Sequence, residues 1–196
     1  MKPEWMTFSN GVTVNLNDFD GDEVGIEELA LSLARVNRFA GHTKKGVTYS
    51  VAEHSVWVSF HVPSALAFPA LMHDIEEAVF GDIPTPAKHL APAVIEAGNK
   101  IRLAIWRSHG VRCTTHEWEY IKESDHVALI TEARDLMHPN IQRFVPFDRD
   151  YYIPQIFPLM NEDDIVNQFL DRYNDVSGIA KQELDAAAYM KSLRTA

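Results

Sequence analysis

Ile26, Leu29, Ala30, Leu33 and Val36 stand at i, i+3, i+4, i+7 and i+10, the spacing that gathers side chains on one face of a helix. This period returns along most of the chain and restricts its fold more than any other feature. Ser50-Val51-Ala52-Glu53 and Thr114-Thr115-His116-Glu117 both have the capping-box form, in which a hydroxyl and a glutamate three residues on satisfy orphan backbone N–H groups reciprocally. They open predicted helices running to about His61 and to about Met137. Another helix is expected over residues 65–80, with Pro69 kinking its first turn or delaying its start, and Gly81 and the prolines of GDIPTP ending it. A further one spans 92–108, turning Val94, Ile95, Ile101 and Ile105 inward and stopping at Gly110. Two shorter helices are expected near 163–174 and 179–193, after a proline-rich extended excursion.

The N-terminal segment departs from this period. Asn10-Gly11, flanked by Phe8, Val12, Val14 and Leu16, is a hairpin signal. Asp18, Asp20 and Asp22 follow at calcium-loop spacing, but Glu23 stands where that loop needs glycine and Leu29 where it needs its closing glutamate, so a solvated acidic loop is expected. Sequential helices behind one small hairpin predict an all-α, bundle-like domain. The expectation is one domain over 1–196, with a motif-bearing core at 26–137 and a tail, 138–196, packing on it.

Composition excludes several classes. With 46% hydrophobic residues the chain can fill a core, and with one cysteine, Cys113, it cannot be stapled by an internal disulfide; a reducing cytosol suits it. No apolar leader opens the sequence and its longest apolar run, 65–72, is too short to span a bilayer, so no membrane role is expected. Eighteen basic against 28 acidic residues leave a net charge of −10, without the basic footprint that gripping a nucleic-acid polymer requires. The surplus is local: Asp18, Asp20, Asp22, Glu23, Glu27 and Glu28 form one base-free block, and Asp74, Glu76, Glu77 and Asp82 a second.

That second block, in LMHDIEEAVFGDIPTP, carries the chemistry. His73, Asp74 and Glu77 interrupt an apolar segment containing Leu71, Met72, Ile75, Val79 and Phe80, an expensive placement unless something compensates the charges. His54, between Val51 and Val58, and Asp125, on the stripe Trp118, Ile121, Ala128, Leu129, Leu136, intrude on their helices in the same way. Imidazole and carboxylate are good ligands for first-row divalent metals, and facing helices of a bundle are a normal way to assemble them. On the residues alone the alternative is ordinary: an inward histidine is more often hydrogen-bonded core than ligand, and nine histidines allow chance alignments.

The ordered segments RVNRFAGH, YSVAEHSVWVS, ALMHDIEEAVFGDIPTPAKHL and KESDHVALITEARDL resemble the HD-domain metal-dependent phosphohydrolases, and within them the bacterial and phage 5′-deoxynucleotidase branch. The string HDxxEaxxGDxPTPxK is the specific part of the likeness. The resemblance implies an HD-domain helical bundle. It implies His54, His73, Asp74 and Asp125 as ligands of one divalent ion (Co²⁺, Mn²⁺ or Zn²⁺) and Glu77 as the residue handling the proton of the attacking water. It gives Arg38 and Lys88 as phosphate contacts and Asp82, beside Pro84-Thr85-Pro86, as the sugar contact, with Thr85 and Phe39 also toward the substrate. Phe39 stands where better-known members carry Trp, so it lacks an indole N–H for sugar selection. His42 is a further residue of that segment.

The function so implied is hydrolysis of deoxynucleoside 5′-monophosphates to nucleoside and phosphate. Phage members of the branch instead hydrolyse dATP to triphosphate, which needs room and positive charge beyond the first phosphate; Arg35, Lys44, Lys45 and Lys88 are the candidates. A non-catalytic nucleotide- or metal-binding module is the third possibility, opposed by Glu77, a carboxylate that a retired site has no use for. The expected partner is a small deoxynucleotide, and a homo-oligomer is expected, with the apolar, proline-rich stretch 145–160 as subunit contact or pocket lid.

Overall fold

A computed structural model of the chain describes residues 4–143, 156, 158 and 161–195, the side chains of 142–143 and 179–195 apart. Strands β1 (Trp5–Thr7) and β2 (Thr13–Asn15) pair antiparallel, with Met6 opposite Val14. The turn between them closes through Phe8 N–H donating to the Val12 carbonyl at 2.8 Å, and Gly11 supplies a φ of 88°. Phe8 and Val14 face the core, and Ser9 donates twice to Glu28, pinning the hairpin to the first helix. The following acidic segment is docked as well as solvated. At Gly21, with φ of 97°, an added Cβ would lie 2.4 Å from the Ala104 carbonyl, so only glycine lets the loop lie on the helix that carries Ala104.

Helix α1 (Ile26–Arg35) buries Leu29, Ala30 and Leu33 on the expected face. Both capping boxes form as expected: Ser50 with Glu53 opens α2 (Val51–Phe60), and Thr114 with Glu117 opens α7 (Thr115–Leu136). Helix α2 is the centre of the bundle. Eight of its ten residues are buried, and α1, α3 (Ala67–Leu71), α7 and α8 (Glu162–Thr195) all pack on it. Between come α4 (Glu77–Phe80), α5 (Thr85–Lys88) and α6 (Pro92–Ser108). The architecture is an all-α bundle with a small N-terminal hairpin. Among the described residues no helix is long and apolar enough to cross a membrane.

Three local expectations are corrected. The helix predicted over 65–80 is two: a 3₁₀ turn (Ser64–Leu66) leads into α3, whose third residue Pro69 sits in the first turn where its missing N–H costs nothing, and residues 72–76 form a turn before α4. The two closing helices are one continuous α8; Gly178 costs a helix about 1 kcal/mol, yet it does not break this one. Ile95, expected inward on α6, is 41% exposed, whereas Ile101 and Ile105 are buried. Of the proposed contact stretch 145–160, all but residues 156 and 158 lies outside the described residues, and so do the side chains of the helix expected at 179–193.

Phe169 of α8 is fully buried against the core, where Ile165 and Val176 of the same helix are buried too. Phe169→Ala is expected to lose about 3–5 kcal/mol, or roughly 10 °C in Tm for a chain of this size. Thermal unfolding checks this, and a loss under about 1 kcal/mol would mean that the helix merely rests on the bundle.

Candidate metal centre

Four side chains from three places in the fold converge: His54 from the middle of α2, His73 and Asp74 from the turn after α3, and Asp125 from α7. The turn exists because its carbonyls are claimed by other donors. Trp106 of α6 donates its indole N–H to the Met72 carbonyl at 2.7 Å, and His73 Nδ1 donates to the Ala70 carbonyl at 2.8 Å. Beyond it the N–H groups of Glu77, Ala78 and Val79 reach back three residues instead of four, a tighter winding that turns His73 and Asp74 toward α2 and α7.

One ligand atom from each residue lies within 4.8 Å of the others. His54 Nε2 is 3.3 Å from His73 Nε2 and 3.2 Å from Asp125 Oδ1, and His73 Nε2 is 3.1 Å from Asp74 Oδ2. Two donors each about 2.1 Å from one ion stand about 3.0 Å apart at a right angle and about 3.4 Å apart at the tetrahedral angle. The spacing therefore suits a single first-row cation. The tautomers agree. His73 Nδ1–H is committed to a carbonyl and His54 Nδ1–H to the Glu132 carboxylate at 2.5 Å. Both Nε2 atoms then face each other and two carboxylates, an arrangement that calls for a cation or an added proton between them.

The electrostatics show the same demand. Burial opposes charge on His73, yet Asp74 and Asp125 override it and push its imidazole up to about 10. Burial likewise opposes charge on Asp74 and Asp125, but His73 holds Asp74, and His54 and His73 together hold Asp125, below the usual carboxylate range. A proton on His73 is thus what a metal ion must displace. Metal uptake is expected to release about one proton, with apparent affinity rising about tenfold per pH unit between 7 and 9. Calorimetry in buffers of different ionisation enthalpy measures that release, and a pH-independent affinity would contradict the assignment.

Around the cluster the other expected residues fall at different distances. Arg38 is buried, with Nη1 3.9 Å from Asp74 Oδ2. Glu77 is buried; Lys88 holds its Oε1 at 3.0 Å, while Oε2 has no hydrogen-bond partner among the described residues. Burial and the Asp74 charge push the Glu77 carboxyl well above its ordinary range, opposed by Lys88. Asp82 adds its charge to the surroundings of Arg38, Glu77 and Lys88. Thr85 is exposed at the start of α5. Phe39 and Ala40 follow Arg38 with φ of 57° and 51°, and Gly41 with 77°, a left-handed run that brings the Phe39 ring 5.7 Å from the guanidinium. Arg35 and Lys44 are engaged elsewhere, with Glu162 and the Asp135 carbonyl, and Lys45 is exposed.

Sequence reasoning missed three residues. Glu132 receives both His54 and Arg38; it lies seven residues beyond Asp125, two turns along the same face of α7, which was the available signal. Lys122, one turn before Asp125, pairs with its outer oxygen. Arg102 of α6 pairs with Glu76 at 2.9 Å and stacks 4.5 Å from the Trp118 ring centroid. A cavity of about 330 Å³ adjoins the cluster, with Asp74, Glu77, Lys88, Arg102, Trp118 and Lys122 on its walls.

The uncharacterised protein YfdR of Escherichia coli K12 is 33% identical to this chain over 165 residues, covering 82% of this chain and 88% of YfdR. The chain belongs to the YfdR family. An uncharacterised protein of Rhodobacter capsulatus is 32% identical over 119 residues, 57% of this chain and 61% of its own length. A Photobacterium profundum protein named as a 5′-deoxynucleotidase is 34% identical over 73 residues, 29% of this chain and 38% of its own. No protein-family model matches. In this YfdR-family chain the cluster offers two imidazoles and two carboxylates, a donor set that leaves coordination positions open, with a buried carboxylate and three cationic side chains beside it.

Proposed function

We propose that the chain is a divalent-metal-dependent phosphohydrolase that cleaves deoxynucleoside 5′-monophosphates to deoxynucleoside and phosphate. The observation that carries this reading is the pair of Nε2 atoms facing each other among two carboxylates, with Glu77 buried next to them and not among the four converging residues. The motif resemblance and the name of the Photobacterium relative supply the substrate class. A divalent ion (Mn²⁺, Co²⁺ or Zn²⁺) held by His54, His73, Asp74 and Asp125 would polarise the phosphoryl oxygen and acidify a water.

The rest is work for the chain's own residues. Glu77, made more basic by burial, takes the water's proton at its unpartnered Oε2. Arg38, whose guanidinium stays charged beside Glu132 and Asp74, offers a planar fork of donors to phosphate oxygens. Lys88 keeps Glu77 in place and lends positive charge. Asp82, Thr85 and Phe39 face the sugar. A small anionic substrate is compatible with a net charge of −10, since part of the acidic surplus is the metal site itself.

The test is a panel of deoxy- and ribonucleotide mono- and triphosphates with each of the three metals, with and without chelator. Metal-dependent release of phosphate from deoxynucleoside monophosphates is the expected result; no turnover on any nucleotide would sink the reading. The cavity favours a second reading within the same chemistry, release of triphosphate from a deoxynucleoside triphosphate, because it offers room bordered by Lys88, Lys122 and Arg102. On that reading Arg102→Ala raises KM for triphosphates about tenfold or more, the worth of one charge-assisted contact, and leaves monophosphates untouched.

A further inference from the structure

Glu132 is fully buried, and its two oxygens serve different partners. Oε1 accepts from His54 Nδ1 at 2.5 Å; Oε2 accepts from Arg38 Nε at 3.2 Å and from Nη2 at 3.0 Å. Asp74 lies within ion-pair reach of both, at 3.9 Å from Arg38 and 3.6 Å from His54, but among the described residues Glu132 alone hydrogen-bonds to both, so a single carboxylate joins a metal ligand to the residue that receives phosphate in the function proposed above. Each partner needs a full acceptor. His54 must keep its proton on Nδ1 if Nε2 is to face the ion, and a buried guanidinium with no acceptor would be costly.

We propose that Glu132 is a positioning residue that fixes the ligating tautomer of His54 and the place of Arg38 at once, one oxygen for each, so that the metal site and the anion site are set by the same carboxylate. The proposal rests on the metal and phosphate roles given above and goes beyond them. It makes a specific prediction about the amide. In E132Q one acceptor oxygen faces two claimants. When Arg38 takes it, the amide NH₂ meets His54 Nδ1 and drives the imidazole proton to Nε2, where it blocks the ion.

Titration of Co²⁺ alone into the metal-free protein, followed by calorimetry and by the visible spectrum that reports its coordination, reads this without any turnover. Wild type binds one Co²⁺ per chain. E132Q binds it about 10- to 100-fold more weakly. In the double variant R38M/E132Q the amide oxygen has His54 as its one claimant, and Co²⁺ affinity and spectrum return toward wild type; a loss caused by packing alone would persist or deepen. That variant also carries the test if E132Q does not fold, because it buries a neutral pair. Unchanged affinity in E132Q, or a double variant at least tenfold weaker than wild type, overturns the proposal and leaves the metal centre standing. Wild-type protein that takes up no Co²⁺ overturns the metal reading, and this proposal with it.

Discussion

Glu77→Gln is expected to lower turnover by about 10²- to 10⁴-fold, the usual contribution of a positioned general base, while the protein still binds its metal. Glu77 stands one step outside the ligand set: the converging atoms belong to His54, His73, Asp74 and Asp125, and the Glu77 carboxylate is tied to Lys88 instead. The amide keeps the shape and can still accept from Lys88, but it cannot take a proton. KM should therefore change little and kcat should carry the loss. Two results would count against the assignment. Turnover surviving with metal bound would remove Glu77 from the chemistry, and loss of metal in the variant would move it into the ligand set. A non-catalytic module would show no turnover for the substitution to change.

Removing the metal is expected to lower Tm by about 5–10 °C. Without an ion, the half-buried Asp74 and Asp125 lie within reach of one another and are compensated by a protonated His73 and by Lys122. At a metal concentration of about 100 Kd the ion adds about 2.7 kcal/mol to the folded state, and each kcal/mol moves Tm by about 2–4 °C in a chain of this length. Differential scanning calorimetry with Zn²⁺ or with chelator measures the shift. In Asp74→Asn the neutral amide is a poorer ligand, so the metal-dependent part of the shift should vanish. A wild-type Tm indifferent to chelator would argue against a resident ion.

How much of this was legible in the sequence depends on how local each cause is. The starts of α2 and α7 were readable to the residue, because a capping box is written in four consecutive positions. The four residues that converge, His54, His73, Asp74 and Asp125, were readable as ionisable intrusions on apolar stripes. The split between α3 and α4 was not, since its cause is the Trp106 indole, 34 residues away in the chain, bonding the Met72 carbonyl. Helical periodicity in 65–80 is genuine, but a donor from α6 redirects the backbone, and His73 owes its orientation to that. Glu132 was hidden differently. On α7 it repeats the face of Asp125, yet a glutamate in a run as charged as EARD reads as surface until Arg38 and His54 are seen to enclose it.

The left-handed run after Arg38 bears on how such a chain can change. Phe39 and Ala40 hold a backbone conformation that costs an L-residue roughly 1–2 kcal/mol at each position. Selection for heat resistance alone would find glycine at 40 an easy gain, since it removes the Cβ clash without touching the core. That gain would loosen the segment carrying Arg38 and the Phe39 ring. A lineage that keeps side chains at both positions is trading robustness for a stiff approach to the His–Asp cluster.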